Sequence, residues 1–420
     1  MPDGWPTPIP DDGEAPLSAG AGPISRVSPF GHDAVEPGEP HRRMAARAAR
    51  AGLRRIHMLG WRDLDDVEAG GSEVHAAMVA RHWTASGLWV SMRTSNAQGR
   101  PPEVWRDGYL VSRKAGRYLV FPRSAASAVL RRSGQRDALV EVWNGMPFFS
   151  PVWDWGPKIV VVHHVHTEIW KMVLPPNLAR VGDVVERVIA PPLYRRTPIV
   201  TVSDSTRDEL VEQLHFDPRR VHVIPTGIAE QFSPGGEKEQ TPLVVGVGRL
   251  VAMKRFELLI DAVAEVRRTR PDTRLVIVGD GVERDRLENH IRRTGAQEWA
   301  TLAGRISDDD LIDLYRRAWV VGSTSMREGW GMTLTEAAAC GTPAVATRIG
   351  GHRDAVRDGV SGVLADIGGE FNEALLRVIT DDDHRAALAA GAVDRASELR
   401  WENTAEAMLD VLADEADRKR

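Results

Sequence analysis

The chain of 420 residues contains one cysteine, Cys340. A single thiol excludes an internal disulfide framework and fits a reducing cytosol. No apolar run approaches the roughly 20 residues needed to span a bilayer. The first residues show no charged start leading into an apolar core, so no secretory signal is expected. An excess of one charge sign is also missing. The formal net charge is -5, which gives no argument for nucleic acid or for an acidic membrane as partner. No short fixed period recurs, which excludes a solenoid. What is present, 42% hydrophobic and 27% charged residues, is the composition of a soluble globular protein long enough for two or three domains.

Residues 1–40 are rich in Pro, Gly, Asp and Glu and poor in large apolar side chains. Such a segment buries too little surface to offset its chain entropy, so disorder is expected. Residues 41–55, "HRRMAARAARAGLRR", form a basic Ala/Arg stretch of good helix propensity. Two readings stand for it: a solvated helix, or a weak peripheral contact with anionic lipid that lacks a bulky apolar face. From residue 55 short apolar runs alternate with amphipathic segments. Strands are expected at 55–60, 88–93, 138–143, 158–163 and 198–203. The polar, Gly- and Pro-rich "AEQFSPGGEKEQT", residues 229–241, then reads as a linker, placed at 231–241. A second series starts with "PLVVGVG" at 242 and continues with "RLVIVGD", "ATLAG", "WVVGST" and "AVAT", helices lying between them. Alternating strands and helices of this length imply βαβ units and parallel sheets. The expected fold class is α/β: two Rossmann-like doubly wound domains, 41–230 and 242–400, facing each other across a cleft. A final helix, 401–416, would pack back on the first domain. Ligands of such sheets bind beyond the carboxyl ends of the strands.

The most informative stretch is "REGWGMTLTEAAACGTPAVAT", residues 327–347. "MTLTEAAAC" reads as a short helix, ended by Gly341 and Pro343. Gly329, Trp330 and Gly331 precede it, and a glycine-rich helix start favours an anion such as phosphate. Glu328 and Glu336 flank this start. Ionised carboxylates accept hydrogen bonds, so their natural partners are hydroxyls. A ligand that combines phosphates with vicinal diols satisfies both features, as a nucleotide sugar does. The plainer alternative is a solvated Glu336 and a Glu328 held by the helix dipole.

Arg249 leaves the strand ending in Gly246 and Gly248, and Lys254 opens the next helix. A cation there opposes the helix dipole unless an anion answers it. Together the two could neutralise a diphosphate leaving group; two solvated surface cations are the bland reading. Gly70 and Gly71 form another glycine turn at a helix start. His163, His164 and His166 end the strand "KIVVV", and strand alternation would send His163 and His164 to opposite faces. No matching Cys, Asp or His set accompanies them, so a hydrogen bond to a sugar hydroxyl or an acceptor fits better than a metal. Gly279 and Gly281 would let backbone approach closely. The acidic triplets 308–310 and 381–383 read as helix caps.

In order along the chain, "GGSE", "VHHVHTEIW", "VSDSTRDEL", "VIPTGI", "VGRLVAMKRFELLIDA", "IVGDGVERDRLE", "GRISDDDLIDLYRRAWV" and the 327–347 stretch resemble the retaining glycosyltransferases of family four, which have the GT-B architecture. The resemblance covers about residues 55–370. It implies transfer of a sugar from a nucleotide-diphosphate sugar, UDP- or GDP-linked, to a carbohydrate, lipid or small-molecule hydroxyl. It further implies retention at the anomeric carbon, no obligatory metal and no other cofactor. By this resemblance Glu328 would contact donor-sugar hydroxyls and Glu336 the ribose diol. Arg249 and Lys254 would bind the diphosphate, and the amides of Gly329, Trp330, Gly331, Met332 and Thr333 would seat sugar and phosphate. Gly70 and Gly71 would close on the phosphates, and Gly279, Arg305 and Ile306 would border the nucleotide. His163 matches the family's histidine, with His164 as the alternative. The segment "GGHRD" departs from the family: His352, Arg353 and Asp354 stand where an apolar residue, Pro and Glu are usual. A nucleotide-sugar epimerase of this fold and an inactive nucleotide-sugar-binding protein are the rival readings. The expected location is cytoplasmic, including the inner face of the membrane.

Overall fold

The computed structural model describes residues 35–130, 134–166, 170 and 175–420. Most of the stretch read as disordered, 1–34, lies outside the described residues. Contacts divide the chain into two compact units. One holds residues up to Val162, Arg180–Val200 and Ala405–Arg420; the other holds His163–Ala179 and Thr201–Thr404. Among the described residues no helix is long and apolar enough to cross a membrane.

The first unit is built on β1 (Arg55–Leu59), β2 (Trp89–Thr94), β3 (Glu103–Arg106), β4 (Tyr109–Arg113), β5 (Ala138–Trp143), β6 (Lys158–Val162) and β7 (Ile199–Thr201). Within it the strand order is β3-β4-β2-β1-β5-β6-β7. β1 pairs in parallel with both β2 and β5, and β6 with β5. β5 and β6 are buried along their whole length, which their apolar character, broken only by Glu141 and Lys158, anticipates for a parallel sheet covered on both faces. The exception is the antiparallel β3–β4 hairpin at the edge, absent from the sequence expectation. Its turn is Asp107-Gly108, with φ of +45° and +83°, the backbone that a tight two-residue hairpin requires.

The basic stretch forms the helix Glu39–Arg50. Its arginines face acids of the tail helix Trp401–Lys419 rather than solvent alone. Arg43 lies 2.6 Å from Glu406, and Arg47 lies 2.5 Å from Asp414 and 2.9 Å from Asp417. Buried Trp83 adds an indole N–H donated to the Ala405 carbonyl at 2.9 Å. Two of the charges that would attract anionic lipid are therefore already matched within the unit.

In the second unit β8 (Val221–Val223) comes first in the chain. A six-stranded sheet follows: β9 (Leu243–Val247), β10 (Arg274–Val278), β11 (Ala300–Gly304), β12 (Val320–Ser323), β13 (Ala344–Thr347) and β14 (Gly362–Ala365). The order β11-β10-β9-β12-β13-β14 is that of a doubly wound nucleotide-binding sheet, and its neighbouring strands pair in parallel. The direction in which strands are added reverses between β9 and β12, so a crevice opens beyond the carboxyl ends of those two strands. The helix Phe256–Val266 covers the sheet with Phe256, Leu259, Ile260 and Val263, the i, i+3, i+4, i+7 spacing of a buried face. The acidic triplets do act at helix starts: Ser307 caps Asp308–Arg317, whose first turn carries the three acids, and Asp381 caps Asp382–Ser397.

Candidate active site

Lys254 and Glu328 come from the two strands that border the reversal. Beyond β9 the chain passes Gly248 and Arg249 and makes a short turn, Ala252–Lys254; Arg255 then takes φ +50° and starts the following helix. Beyond β12 it passes Thr324 and Ser325 to Glu328. Two latches join these loops. The Arg255 guanidinium donates to the Thr324 carbonyl at 2.8 Å and to the Ser325 carbonyl at 3.1 Å. The Thr324 hydroxyl donates back to the Lys254 carbonyl at 3.0 Å.

The result is an ion pair with Lys254 Nζ 2.5 Å from Glu328 Oε1. Ser325 Oγ donates to the same oxygen at 2.7 Å. Both charged side chains keep just under a fifth of their surface exposed, 19% and 18%, so the pair is sheltered yet reachable. Burial pushes the Glu328 carboxyl up, but the Lys254 ammonium, His352 and the two hydrogen bonds outweigh it and hold the group at about 2. Glu328 is an ionised acceptor throughout the physiological range.

His352, from the segment that departs from the family pattern, is buried beside this pair. Its Nδ1 is 2.8 Å from the Thr347 carbonyl and its Nε2 is 3.3 Å from Ser323 Oγ. The ring therefore ties the ends of β12 and β13 together. Burial lowers its pKa, against the pull of Glu328.

Gly329 sits against the main chain of the histidine segment. A Cβ built on it would stand 2.2 Å from the His163 carbonyl oxygen. β6 ends at Val162, so both histidines lie past the strand and alternation no longer assigns their faces. The His163 carbonyl accepts from Thr206 Oγ1 at 3.3 Å. The His164 ring stacks on His166 at 4.4 Å between centroids. Burial lowers His164 to about 4; Arg327 and Arg249 lower it further and Glu328 opposes them. The alternative histidine thus lies within electrostatic reach of the acid.

Glu336 lies on the helix Met332–Ala339, which starts from Gly331 at φ +121°. Met332 and Thr333 hold its first turn, where backbone N–H groups have no intrahelical partner. Burial and the Asp308 charge push Glu336 up to about 7, while Tyr315, whose hydroxyl lies 3.5 Å away, draws it down. The Trp330 side chain is buried in the apolar core, with Arg395 5.8 Å above its ring, so only its main chain is offered to a ligand.

Gly248 after β9, Gly279 after β10 and Gly304 at the end of β11 lie side by side. Gly248 N–H donates to Val278 at 3.0 Å, and Gly279 N–H to Gly304 at 2.8 Å. Arg305 follows, exposed, and Ile306 packs half-buried on the core. Gly70 and Gly71 belong to the first unit. There the Gly70 N–H is donated to Glu73 at 2.8 Å, so in this structure it serves as part of a helix cap rather than as an open amide. Arg255, Ser325 and His352 escaped the sequence reading as contributors to the site. Only Arg255, adjacent to Lys254 in a βα turn, carried a local hint. Among the described residues no group of three or more His, Cys, Asp or Glu side chains is placed to hold a metal ion.

Comparisons with known proteins agree with the fold. Residues 227–395 match the glycosyl transferases group 1 model, and residues 69–232 match that of Glycosyltransferase Family 4. The D-inositol 3-phosphate glycosyltransferase of Acidothermus cellulolyticus is 31% identical over 395 residues, 83% of this chain and 86% of that one. Sucrose-phosphate synthase from Thermosynechococcus elongatus is similar in structure, with a TM-score of 0.72 at 20% identity over 84% of this chain and 97% of that one. Anabaena Alr3699/HepE, solved in complex with UDP and glucose, gives 0.66 at 18% identity over 86% and 100%. The chain belongs to the family four glycosyltransferases and has their GT-B fold of two Rossmann-like α/β domains. It is an enzyme of the hexosyl-transferring class, acting on a nucleotide sugar.

Proposed function

We propose that the enzyme moves a sugar from a UDP- or GDP-linked donor to an acceptor hydroxyl with retention at the anomeric carbon and without an obligatory metal. The observation that carries this reading is the Lys254–Glu328 pair, 2.5 Å apart at the crossover of the second sheet. In the free enzyme each charge compensates the other. An arriving donor offers each a better partner: Lys254 turns to the diphosphate, with Arg249 beside it, and Glu328 accepts from the sugar hydroxyls. Met332 and Thr333 at the helix start add amides for phosphate or sugar oxygens. Glu336 takes the ribose diol, and the Arg305–Ile306 segment borders the base. The UDP in the HepE complex supports a uridine donor first among the two.

Reaction follows from leaving-group charge. The bond between the anomeric carbon and the diphosphate oxygen breaks, and negative charge builds on the departing phosphate. Lys254 and Arg249 stabilise that charge more than the ground state, which lowers the barrier. The acceptor oxygen forms its bond on the face the phosphate leaves, and its proton passes to a phosphate oxygen. No side chain here stands out as a covalent nucleophile, and this route needs none. The acceptor is a carbohydrate, lipid or small-molecule hydroxyl.

The test is a panel of UDP- and GDP-sugars with candidate acceptors, the product's anomeric configuration being read by NMR with and without chelator. An α-linked donor should yield an α-linked product at an unchanged rate in chelator. An inverted product, or abolition by chelator that added metal restores, would overturn the mechanism. Conversion of donor alone to its epimer would overturn the transfer reading.

A further inference from the structure

The segment Arg180–Arg196 runs as helix through a π-helical turn, Val185–Ile189, into the short helix Ala190–Tyr194. Gly182, Glu186, Ala190 and Tyr194 are buried, four residues apart, so one face is seated on the unit. The wider π-turn keeps that spacing in register through Val185–Ile189. The remaining faces expose Val181, Val184, Val188, Ile189 and Leu193, each between 40% and 63% accessible. Five apolar side chains open to water on one short segment are more than scattered exposure on a soluble surface.

Arginines border this stripe. Arg180, Arg187, Arg195 and Arg196 are all exposed. The acids of the segment are Asp183 and Glu186. Asp183 is paired with Arg187 at 2.9 Å, and Glu186 is buried. An apolar-striped segment with four arginines against two acids therefore stands on a chain whose net charge is -5. The combination is that of a helix lying in a membrane interface: apolar side chains enter the acyl boundary while arginines reach anionic headgroups. A second copy of this chain suits the face less well, because a two-fold contact would set these arginines against their own counterparts.

We propose that Arg180–Arg196 docks the enzyme peripherally on an anionic lipid surface. The docking relocates the membrane contact from the basic stretch near the N-terminus, whose Arg43 and Arg47 are matched by the tail helix. It does not depend on the assignment of the catalytic residues.

The experiment is co-sedimentation of the full chain with phosphatidylcholine vesicles, with and without phosphatidylglycerol, at low and high salt. The protein should bind the anionic vesicles, bind the neutral ones weakly, and release in salt. A triple variant, Arg187→Glu, Arg195→Glu and Arg196→Glu, should lose about a hundredfold in affinity or more. Val181→Ser with Val188→Ser should weaken binding at unchanged charge, and both variants should keep the wild-type far-ultraviolet spectrum and Tm. Failure of the wild type to bind anionic vesicles at low salt would overturn the proposal. So would binding untouched by both variants, or a concentration-dependent dimer that the valine variant dissolves while vesicles stay unbound.

Discussion

Gly279 lies so close to Gly248 that a Cβ built on it would stand 1.9 Å from the Gly248 carbonyl oxygen. Its φ of +135° is closed to other residues as well. This contact holds the ends of β9 and β10 together beneath the candidate site. Gly279→Ala should therefore cost about 3 kcal/mol or more, since backbone, not a flexible side chain, blocks the methyl. Gly295 is the control. It also has positive φ, +67°, but nothing lies within 4 Å of a Cβ there. Gly295→Ala should cost only about 1 kcal/mol, the left-handed penalty alone. Urea denaturation of the two variants checks the difference.

The Lys254–Glu328 pair predicts a coupled loss. Lys254→Ala and Glu328→Ala should each lower transfer roughly 100- to 1000-fold, because each removes charge or acceptor from the transition state. Circular dichroism should show both folded. The sign of the pH effect follows from Glu328, whose folded pKa of about 2 lies below its ordinary 4.5. A depressed carboxyl contributes stability that is full above the ordinary value and is lost as pH falls towards the folded one. Wild type should lose that increment between about 4.5 and about 2, and Lys254→Ala should lose less, the ammonium being already gone. Equal acid sensitivity of wild type and variant would show that the lysine does not set this carboxyl.

Much of the second unit was legible before any coordinates. Its apolar runs fall on β9 to β13, and the 332–340 stretch forms the helix Met332–Ala339. The strands announce themselves because each is short and largely apolar, and β9, β10 and β11 end in or next to a glycine. β14 was missed because Gly362–Ala365 is only four residues long and opens on a glycine. The β3–β4 hairpin was missed although Asp107-Gly108 is a strong hairpin signal. Its strands carry Glu103, Trp105 and Arg106 outward or into ion pairs and so lack a clean apolar run. Arg255 carried only the hint of its place beside Lys254, and the role of His352 was not legible. Arg255 acts through main-chain carbonyls of a loop distant in sequence, and His352 through the nearby Thr347 carbonyl and the distant Ser323 hydroxyl; no local pattern encodes such partners.

Arg255 makes a separate prediction about positioning. Its guanidinium spans the Thr324 and Ser325 carbonyls, which fixes the loop that presents Glu328. Lysine keeps the charge but lacks the planar fork. Arg255→Lys should lower kcat at least tenfold with a smaller change in donor KM, while Tm shifts by only a few degrees. A drop in stability large enough to account for the lost activity would assign Arg255 to the fold alone.

Glu336 should make donor binding depend on pH near neutrality. Its carboxyl is pushed up to about 7 by burial and by Asp308, so protonation competes with the acceptor role towards a ribose diol. As pH falls through about 7 the charged form is lost, and donor KM should rise while an oxidised-ribose or otherwise diol-free donor analogue shows no such trend. The stability effect has the opposite sign to that of Glu328. A carboxyl raised in the folded state contributes most below its ordinary 4.5, and that contribution fades as pH rises to about 7. Glu336→Gln removes the titration altogether. It should flatten the pH profile of KM, raise KM at alkaline pH, and increase stability there relative to wild type, because a neutral amide no longer has to ionise inside the protein. Measured together, a flat KM profile and a stabilised variant above neutrality would tie the buried charge to nucleotide binding, whereas an unchanged KM profile would detach Glu336 from the ribose.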